Sequence, residues 1–240
     1  MNILLTGGSR GLGLAIAQQQ LELGNSVFIV NRSVSSELKE LLRQYKERAV
    51  FVECDLTKPD SIKDSVFARH IGNTVPIHGL VNNAAIAYDD LVTNMDPELV
   101  ASMFQVNVYS PMVLAKLTIR NMLLHQTAGS MVHCSSICSR KGYKGLAMYA
   151  ATKGALEAFS VNVAREWGTK GIRSNCVVPG FMKTSMSSTL SDADRDKIFS
   201  RTALRSATSI QSVASTVGFL LSDASSSVTG QAFVVDSGTI

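Results

Sequence analysis

The chain has 240 residues, of which 45% are hydrophobic and 18% charged, and its formal net charge is +4. This composition indicates a globular protein, and we expect residues 1–240 to form a single domain because α/β folds of this size commonly stay undivided. The basic residues form no run, which argues against nucleic-acid binding, and no apolar stretch is long enough to span a membrane.

The four cysteines give no sign of a metal site or of a disulfide framework. Cys54, Cys134, Cys138 and Cys176 lack the clustered ligands of a metal site. Three of them fall in or beside predicted buried strands, where cysteine behaves as a small hydrophobe. Met1 directly precedes the first predicted strand, which leaves no room for a cleavable signal. We therefore expect a cytoplasmic protein that binds no metal.

A glycine-rich turn separates the first predicted strand, residues 2–6, from the first predicted helix. Glycines allow a tight turn and the close approach of a backbone to pyrophosphate, and a helix N-terminus favours an anion. The order strand, turn, helix therefore predicts a dinucleotide site. Its predicted contacts here are Gly7, Ser9, Arg10, Gly11, Leu12 and Gly13.

The second predicted strand, residues 26–30, ends at Asn31 and Arg32, where a dinucleotide fold selects its cofactor. An acidic residue there would accept a hydrogen bond from the ribose 2′-hydroxyl, whereas an arginine accommodates a 2′-phosphate. Arg32 and Arg10 therefore favour NADPH over NADH.

Strands and helices continue to alternate along the chain. A helix is predicted at 36–46, a strand at 49–54, a helix from near Pro59, a strand at 77–81 and a long helix from 96 to about 125. Asp55 either accepts a hydrogen bond from the adenine amine or caps its turn, and Leu56, which follows it, is a further predicted cofactor contact. Asn83 and Ala84 end the fourth strand, where small residues allow a ligand to approach. Asn107, in the middle of the long helix, is expected to be exposed because asparagine is a poor helix former.

The fifth strand, residues 130–134, leads to Ser136, thirteen residues before Tyr149. Tyr149 and Lys153 are four residues apart on a predicted helix that runs to about Thr169, so they point the same way. A nearby ammonium lowers the pKa of a phenol and makes it a usable acid. Tyr149 is thus the predicted proton donor to a carbonyl oxygen, with Ser136 bonded to the same oxygen.

The last third of the chain contains a strand at 172–178 that ends in Pro179 and Gly180, a weakly patterned segment at about 181–205, a helix at 210–221 and a strand at 232–235. The weakly patterned segment, which includes Thr184, is expected to be a substrate lid. Repeated alternation predicts a doubly wound Rossmann-type α/β fold, whose ligands bind beyond the carboxyl ends of parallel strands. The predicted site residues follow such ends.

Taken together, these motifs resemble the short-chain dehydrogenase/reductase superfamily over essentially the whole chain. The resemblance rests on Thr6-Gly7-x-x-x-Gly11-x-Gly13, Asn82-Asn83-Ala84, Asn107, Ser136, Tyr149-x-x-x-Lys153 and Pro179-Gly180. It implies seven parallel strands in the order 3-2-1-4-5-6-7. It also implies that Asn107 holds a water in a proton relay from Lys153, that Lys153 binds the nicotinamide ribose, and that Thr184 contacts the carboxamide.

Within this superfamily the chain is most similar to 3-oxoacyl-acyl-carrier-protein reductases, through residues 178–184, 220–224 and 229–231. Ala85 and Ser237 stand where that family usually has glycine. Of two basic positions that these reductases use to dock the carrier protein, one is matched by Lys170, while the other is Thr127. The resemblance implies NADPH-dependent reduction of a 3-oxoacyl thioester in fatty-acid or polyketide-type synthesis.

Two other functions stay open at this point. One is a reductase or dehydrogenase of a free alcohol, ketone or sugar, and the other is a dinucleotide-sensing binding protein without turnover. The resemblance also implies a homotetramer. The apolar residues Met112, Leu117, Phe159 and Val163 exceed one buried stripe on their helices and are expected to face another subunit.

Overall fold

The computed structural model describes residues 1–184 and 192–240. Seven parallel strands form one sheet in the order β3-β2-β1-β4-β5-β6-β7, which confirms the predicted topology. The strands are β1 (Asn2–Thr6), β2 (Ser26–Asn31), β3 (Ala49–Glu53), β4 (Gly79–Asn82), β5 (Gly129–Cys134), β6 (Ile172–Pro179) and β7 (Ala232–Val235).

Helices connect the strands and cover both faces of the sheet. They are α1 (Gly11–Glu22), α2 (Ser36–Gln44), α3 (Pro97–Phe104), α4 (Ser110–His125), α5 (Ala147–Trp167), α6 (Asp192–Ser200) and α7 (Ile210–Leu221). A π-helical stretch, Lys63–Ile71, forms the crossover from β3 to β4, and a second one, Gln105–Tyr109, joins α3 to α4.

The core consists of two apolar clusters, one on each face of the sheet. Leu5 and Val81 pack toward α1, α2 and α7, whereas Leu4 and Leu80 pack toward the Lys63–Ile71 helix, α4 and α5. Neighbouring strand residues alternate between the two clusters because successive side chains point to opposite faces. Because both faces are covered, the strands are mostly apolar, as in other parallel sheets.

The long helix begins as the sequence predicts but is not regular. Asp96 caps its N-terminus by accepting from the backbone N–H groups of Glu98 and Leu99, at 2.8 and 3.2 Å. The π-helical stretch then interrupts it around Asn107, which is fully buried rather than exposed. The expectation of an exposed Asn107 is therefore wrong, because tertiary hydrogen bonds outweigh its weak helix propensity.

The contact of Met112, Leu117, Phe159 and Val163 with another subunit stays a prediction, and within the single chain Met112 is partly buried. Val163 belongs to the core, and Leu117 and Phe159 pack against it. The exposed apolar side chains of the same helices include Phe104, Tyr109 and Val161.

Candidate active site

The glycine-rich turn lies where β1 meets α1. Gly7 has a φ of +73°, a backbone conformation that residues other than glycine rarely adopt. A Cβ atom on Gly13 would stand 2.1 Å from the Gly7 carbonyl oxygen. The N-cap residue of α1, Arg10, makes no side-chain capping hydrogen bond, and the first turn of the helix has no acidic residue. The turn thus suits an anion at the helix N-terminus, as a pyrophosphate requires.

Two hydroxyl groups fix the edges of this turn. Thr6 Oγ1 accepts from the backbone N–H groups of Asn83 and Ala84, each at 3.0 Å, which joins the ends of β1 and β4. Asn83 Nδ2 donates to the carbonyl oxygens of Thr6 and Gly7. Ser35 Oγ donates to the Ser9 carbonyl oxygen at 2.6 Å, which joins the turn to the start of α2.

The side chains expected to read the cofactor lie around this turn. Arg10 and Arg32 are both exposed, and neither forms an ion pair among residues 1–184 and 192–240. Asp55 Oδ1 accepts a hydrogen bond from the backbone N–H of Thr57. Asp55 therefore caps its turn, which is one of the two roles that the sequence left open. Burial raises the pKa of Asp55, but the Thr57 hydrogen bonds and the positive charges of Arg32 and Lys58 outweigh burial and lower it. Asp55 therefore lies in the electrostatic field of Arg32.

Ser136, Tyr149 and Lys153 meet beyond the end of β5. Lys153 is buried, donates from Nζ to the Cys134 carbonyl oxygen at 2.8 Å, and lies 5.5 Å from the Tyr149 ring centroid. Ser136 and Tyr149 are only half-buried, and Ser136 lies close enough to influence the phenol pKa. The structure therefore brings the three predicted catalytic side chains together.

The pKa values at this site differ from the sequence-based expectation. Burial raises the pKa of Tyr149 above its ordinary value, and negative charge at Cys138, Cys134 and Asp89 raises it further, while the Ser136 hydrogen bond opposes these effects. Burial also lowers the pKa of Lys153 to about 8. The pKa of Tyr149 is therefore raised rather than lowered as expected, because burial in low-dielectric surroundings disfavours the phenolate.

Asn107 holds the loop after β4 against α5. Its Oδ1 accepts from the Ile86 N–H at 2.9 Å, and its Nδ2 donates to the Ile86 carbonyl oxygen at 2.8 Å and to Thr152 Oγ1 at 3.1 Å. Both amide hydrogens are thus used. The contact with Ile86 orders the wall of the site, and the implied relay through a water stays a prediction.

The segment that follows β6 lies beside the glycine-rich turn. Gly180 donates its N–H to the Val235 carbonyl oxygen, and a Cβ on it would meet Thr208 Oγ1 at 2.5 Å. Thr184 Cγ2 lies 3.7 Å from the position of a Cβ on Gly11, so the predicted carboxamide contact stands beside the turn. The expected lid at 181–205 lies partly outside the described residues and stays a prediction.

Three further residues belong to the hydrogen-bond network around the site. Thr6 and Thr152 bond predicted site residues, whereas Glu157 bonds Ser135, Ser139 and Arg140 on either side of Ser136. Of the three, only Thr6 carries a signal in sequence, because it directly precedes the glycine turn. The four cysteines are free and buried. In the described part of the chain, no three His, Cys, Asp or Glu side chains gather as metal ligands, and no helix is long and apolar enough to cross a membrane.

Comparison with known proteins agrees with this geometry. A family model described as enoyl-(acyl carrier protein) reductase matches residues 7–239. A 3-oxoacyl-[acyl-carrier-protein] reductase of Chlamydia trachomatis serovar D is 33% identical over 241 residues, covering 98% of this chain and 95% of that protein. The chain belongs to the short-chain dehydrogenase/reductase superfamily.

A second relative has the same described substrate, whereas a solved structure of the same fold has another. A reductase of Salmonella typhimurium, also described as acting on 3-oxoacyl-[acyl-carrier-protein], is 33% identical and covers 98% of this chain and 95% of its own length. A gluconate 5-dehydrogenase from Burkholderia cenocepacia, solved in complex with NADP and tartrate, is 26% identical with a TM-score of 0.90 and covers 99% of this chain and 94% of its own. The described substrates of these similar proteins therefore differ between acyl-carrier-protein thioesters and a sugar acid.

Proposed function

We propose that this chain is a cytoplasmic NADPH-dependent reductase of a carbonyl group, most specifically the 3-oxo group of an acyl thioester. The observation that carries the proposal is the meeting of Ser136, Tyr149 and Lys153 beyond β5, close to the glycine-rich turn at the end of β1. These groups can bond and protonate an oxygen atom. In the reduction of a carbonyl group, that oxygen atom takes part directly in the reaction. In the reduction of a carbon–carbon double bond it would not.

The residues of this chain fit NADPH. The uncapped N-terminus of α1 would hold the pyrophosphate, Arg10 and Arg32 would bind the 2′-phosphate, and Lys153 and Thr184 would contact the nicotinamide ribose and carboxamide. Pro179 and Gly180 form part of the same wall. NADPH, when bound, supplies the hydride for the carbonyl carbon.

The protein's own groups perform the remaining chemistry. Ser136 Oγ donates to the carbonyl oxygen and polarises it, and Tyr149 Oη delivers a proton to that oxygen as negative charge develops there. A raised tyrosine pKa keeps the phenol protonated and ready to donate at neutral pH. The Lys153 ammonium lies beside the Tyr149 ring and returns a proton to the phenol after the transfer. Asn107 orders the path along which that proton moves.

A specific observation favours a second candidate, a dehydrogenase or reductase of a free small molecule. Thr127, at one of the two carrier-docking positions, points inward and lies 3.4 and 3.5 Å from the Ile77 and Met122 carbonyl oxygens. Lys170, at the other position, is exposed. A carrier protein would therefore meet one basic residue there instead of two. The solved gluconate dehydrogenase shows that this fold can carry such a function.

NADPH oxidation separates the candidates. We expect the purified protein to oxidise NADPH with acetoacetyl thioesters, and faster when the acyl group is attached to acyl carrier protein than to a short thiol. Faster NADPH oxidation with simple ketones or keto sugar acids, or faster NADP⁺ reduction with gluconate-type hydroxy acids, would support the second candidate. Cofactor binding without turnover of any carbonyl would identify a dinucleotide sensor and contradict the proposal.

We further propose that the protein assembles as a homotetramer. Phe104, Tyr109 and Val161 are 38%, 51% and 47% exposed on the helices whose surplus of apolar residues suggested a subunit contact. Burial of such side chains against another copy would be favourable.

A further inference from the structure

Glu157 lies on the same helix as two of the predicted catalytic residues, four positions after Lys153 and eight after Tyr149. This spacing places all three on one side of α5, which faces the end of β5. The catalytic chemistry proposed above gives Glu157 no role. Its carboxylate is nevertheless half-buried, a position that demands hydrogen-bond partners.

The carboxylate has partners on both of its oxygen atoms. Ser135 Oγ donates to Oε1 at 2.5 Å, and Ser139 Oγ lies at the same distance from that oxygen. Arg140 donates to Oε2 from Nη2 at 2.9 Å and from Nε at 3.3 Å. Hydrogen bonds to a charged acceptor are stronger than those between neutral groups, and the fork of an arginine adds a defined orientation.

The partners of Glu157 surround Ser136 in the chain. Ser139 donates its N–H to the Ser136 carbonyl oxygen at 3.0 Å, and its hydroxyl lies 2.6 Å from the same oxygen. Ser136 Oγ accepts from the Cys138 N–H at 3.3 Å, which closes the turn. Glu157 therefore fastens both ends of the turn that carries Ser136 to the helix that carries Tyr149.

We propose that Glu157 is a positioning residue that holds the Ser136 hydroxyl in register with the Tyr149 phenol. This inference rests on the proposed carbonyl reductase function. The carboxylate does not reach the substrate. It acts by restricting the turn formed by residues 135–140, because a hydroxyl must be within hydrogen-bonding distance of the carbonyl oxygen at the moment when the tyrosine donates its proton.

The ionisation of Glu157 is consistent with this role. Burial raises the pKa of its carboxyl, but hydrogen bonds from Ser135, Ser139 and Arg140 and the arginine charge outweigh burial and lower the pKa. The carboxylate therefore stays charged at neutral pH, as its contacts require.

Kinetics of Glu157→Ala provide the first test. We expect kcat to fall about tenfold or more, while the KM for the carbonyl and the Kd for NADPH change less than about threefold, because binding contacts remain. Glu157→Gln keeps an acceptor for the two serine hydroxyls and should recover most of the loss. Glu166→Ala removes an exposed carboxylate from the same helix and should leave kcat unchanged. An unchanged kcat in Glu157→Ala would overturn the proposal.

A double-mutant cycle distinguishes positioning from general destabilisation. In a Ser136→Ala background, Glu157→Ala should lower kcat less than twofold further, since the hydroxyl that it positions is gone. An equal tenfold fall in both backgrounds would show that Glu157 does not act through Ser136. Ser139→Ala, a smaller change, provides the same cycle if Glu157→Ala does not fold.

Hydrogen exchange tests the contact without turnover. The backbone N–H groups of Ser139, Arg140 and Lys141 are bonded within the turn. In Glu157→Ala they should exchange at least tenfold faster, whereas those of β5 should not change. Unchanged exchange would overturn the proposal. If the wild-type protein turns over no carbonyl but Glu157→Ala exchanges faster in this turn, the proposed function is contradicted. The role of Glu157 in holding the turn would then still stand.

Discussion

At the scale of single residues, we propose that Arg10 and Arg32 select the dinucleotide, and Arg32 gives the first prediction. An arginine bonded to a 2′-phosphate contributes about 1.5–3 kcal/mol, so Arg32→Ala should weaken NADPH binding about ten- to a hundredfold and leave NADH nearly unchanged. Titration of the protein's fluorescence with each cofactor measures both constants. Arg69→Ala, which removes another exposed positive charge, serves as the control. An equal loss for NADPH and NADH would show that Arg32 does not bind the phosphate.

Tyr149, the proposed proton donor, gives the second prediction. Tyr149→Phe keeps the ring in its packing position but removes the proton donor, so kcat should fall about 10²–10⁴-fold with NADPH affinity nearly intact. Tyr109→Phe removes a phenol hydroxyl from an exposed position and should have no effect. Near wild-type turnover by Tyr149→Phe would refute the mechanism. Lys153→Ala should differ in kind by also weakening NADPH, because it removes a ribose contact.

Ser237 gives a prediction for stability. Its φ of +59° lies in the left-handed region, which is unfavourable for serine by roughly 1–2 kcal/mol, although glycine loses more backbone entropy on folding. We expect Ser237→Gly to raise the free energy of unfolding by about 0.5–1 kcal/mol, measured by urea denaturation. Ser226 has a φ of −57°, so Ser226→Gly should instead lower it. A destabilised Ser237→Gly variant would show that the serine side chain contributes more than its conformation costs.

At the scale of the elements, a buried polar chain connects three strands and a helix. Asn82 on β4 lies 3.1 Å from His133 Nδ1 on β5, His133 Nε2 lies 3.3 Å from Ser174 Oγ on β6, and Ser174 lies 2.9 Å from Ser160 Oγ on α5. Burial lowers the pKa of His133 to about 4. The histidine is thus neutral, and its two nitrogens act as one acceptor and one donor.

This histidine makes stability depend on pH. Between about pH 6.5, the ordinary histidine pKa, and pH 4, the unfolded chain binds a proton that the folded chain does not, so the free energy of unfolding falls with falling pH. From pH 7 to pH 5 the wild type should lose about 2 kcal/mol more than His133→Gln, measured by urea denaturation at both pH values. An equal loss in the two proteins would show that His133 is protonated in the fold.

The elements also show what sequence patterns can and cannot reveal. The glycine turn, α5 and the strand ends follow from local periodicity, which is why Gly7, Tyr149 and Lys153 could be named in advance. Asn107 could not be placed correctly, because its burial depends on Ile86 and Thr152, which are distant in the chain. Glu157 carries no local signal for the same reason. The strand order came from family resemblance, since alternation alone predicts a parallel sheet without its order.

At the scale of the whole molecule, assembly is the testable property. Sedimentation equilibrium should give a mass about four times the 25.8 kDa of one chain. Val161→Lys places a charge on the proposed contact surface and should reduce that mass, while Leu23→Lys, at an exposed leucine beyond α1, should not. A mass near that of the single chain would rule out the tetramer.

The strand order has a consequence for how the chain folds during synthesis. β1 is the first strand to leave the ribosome, and one of its two neighbours in the sheet is β4. Leu5 on β1 therefore cannot pair with Val81 until β4 has been synthesised. Every pairing in the sheet is parallel and joins segments distant in sequence, a topology that folds slowly and leaves strand edges open in the meantime. Nascent chains whose β4 has not yet left the ribosome should therefore expose an unpaired edge of β1 and depend on chaperones, whereas chains whose β4 has emerged should not expose that edge.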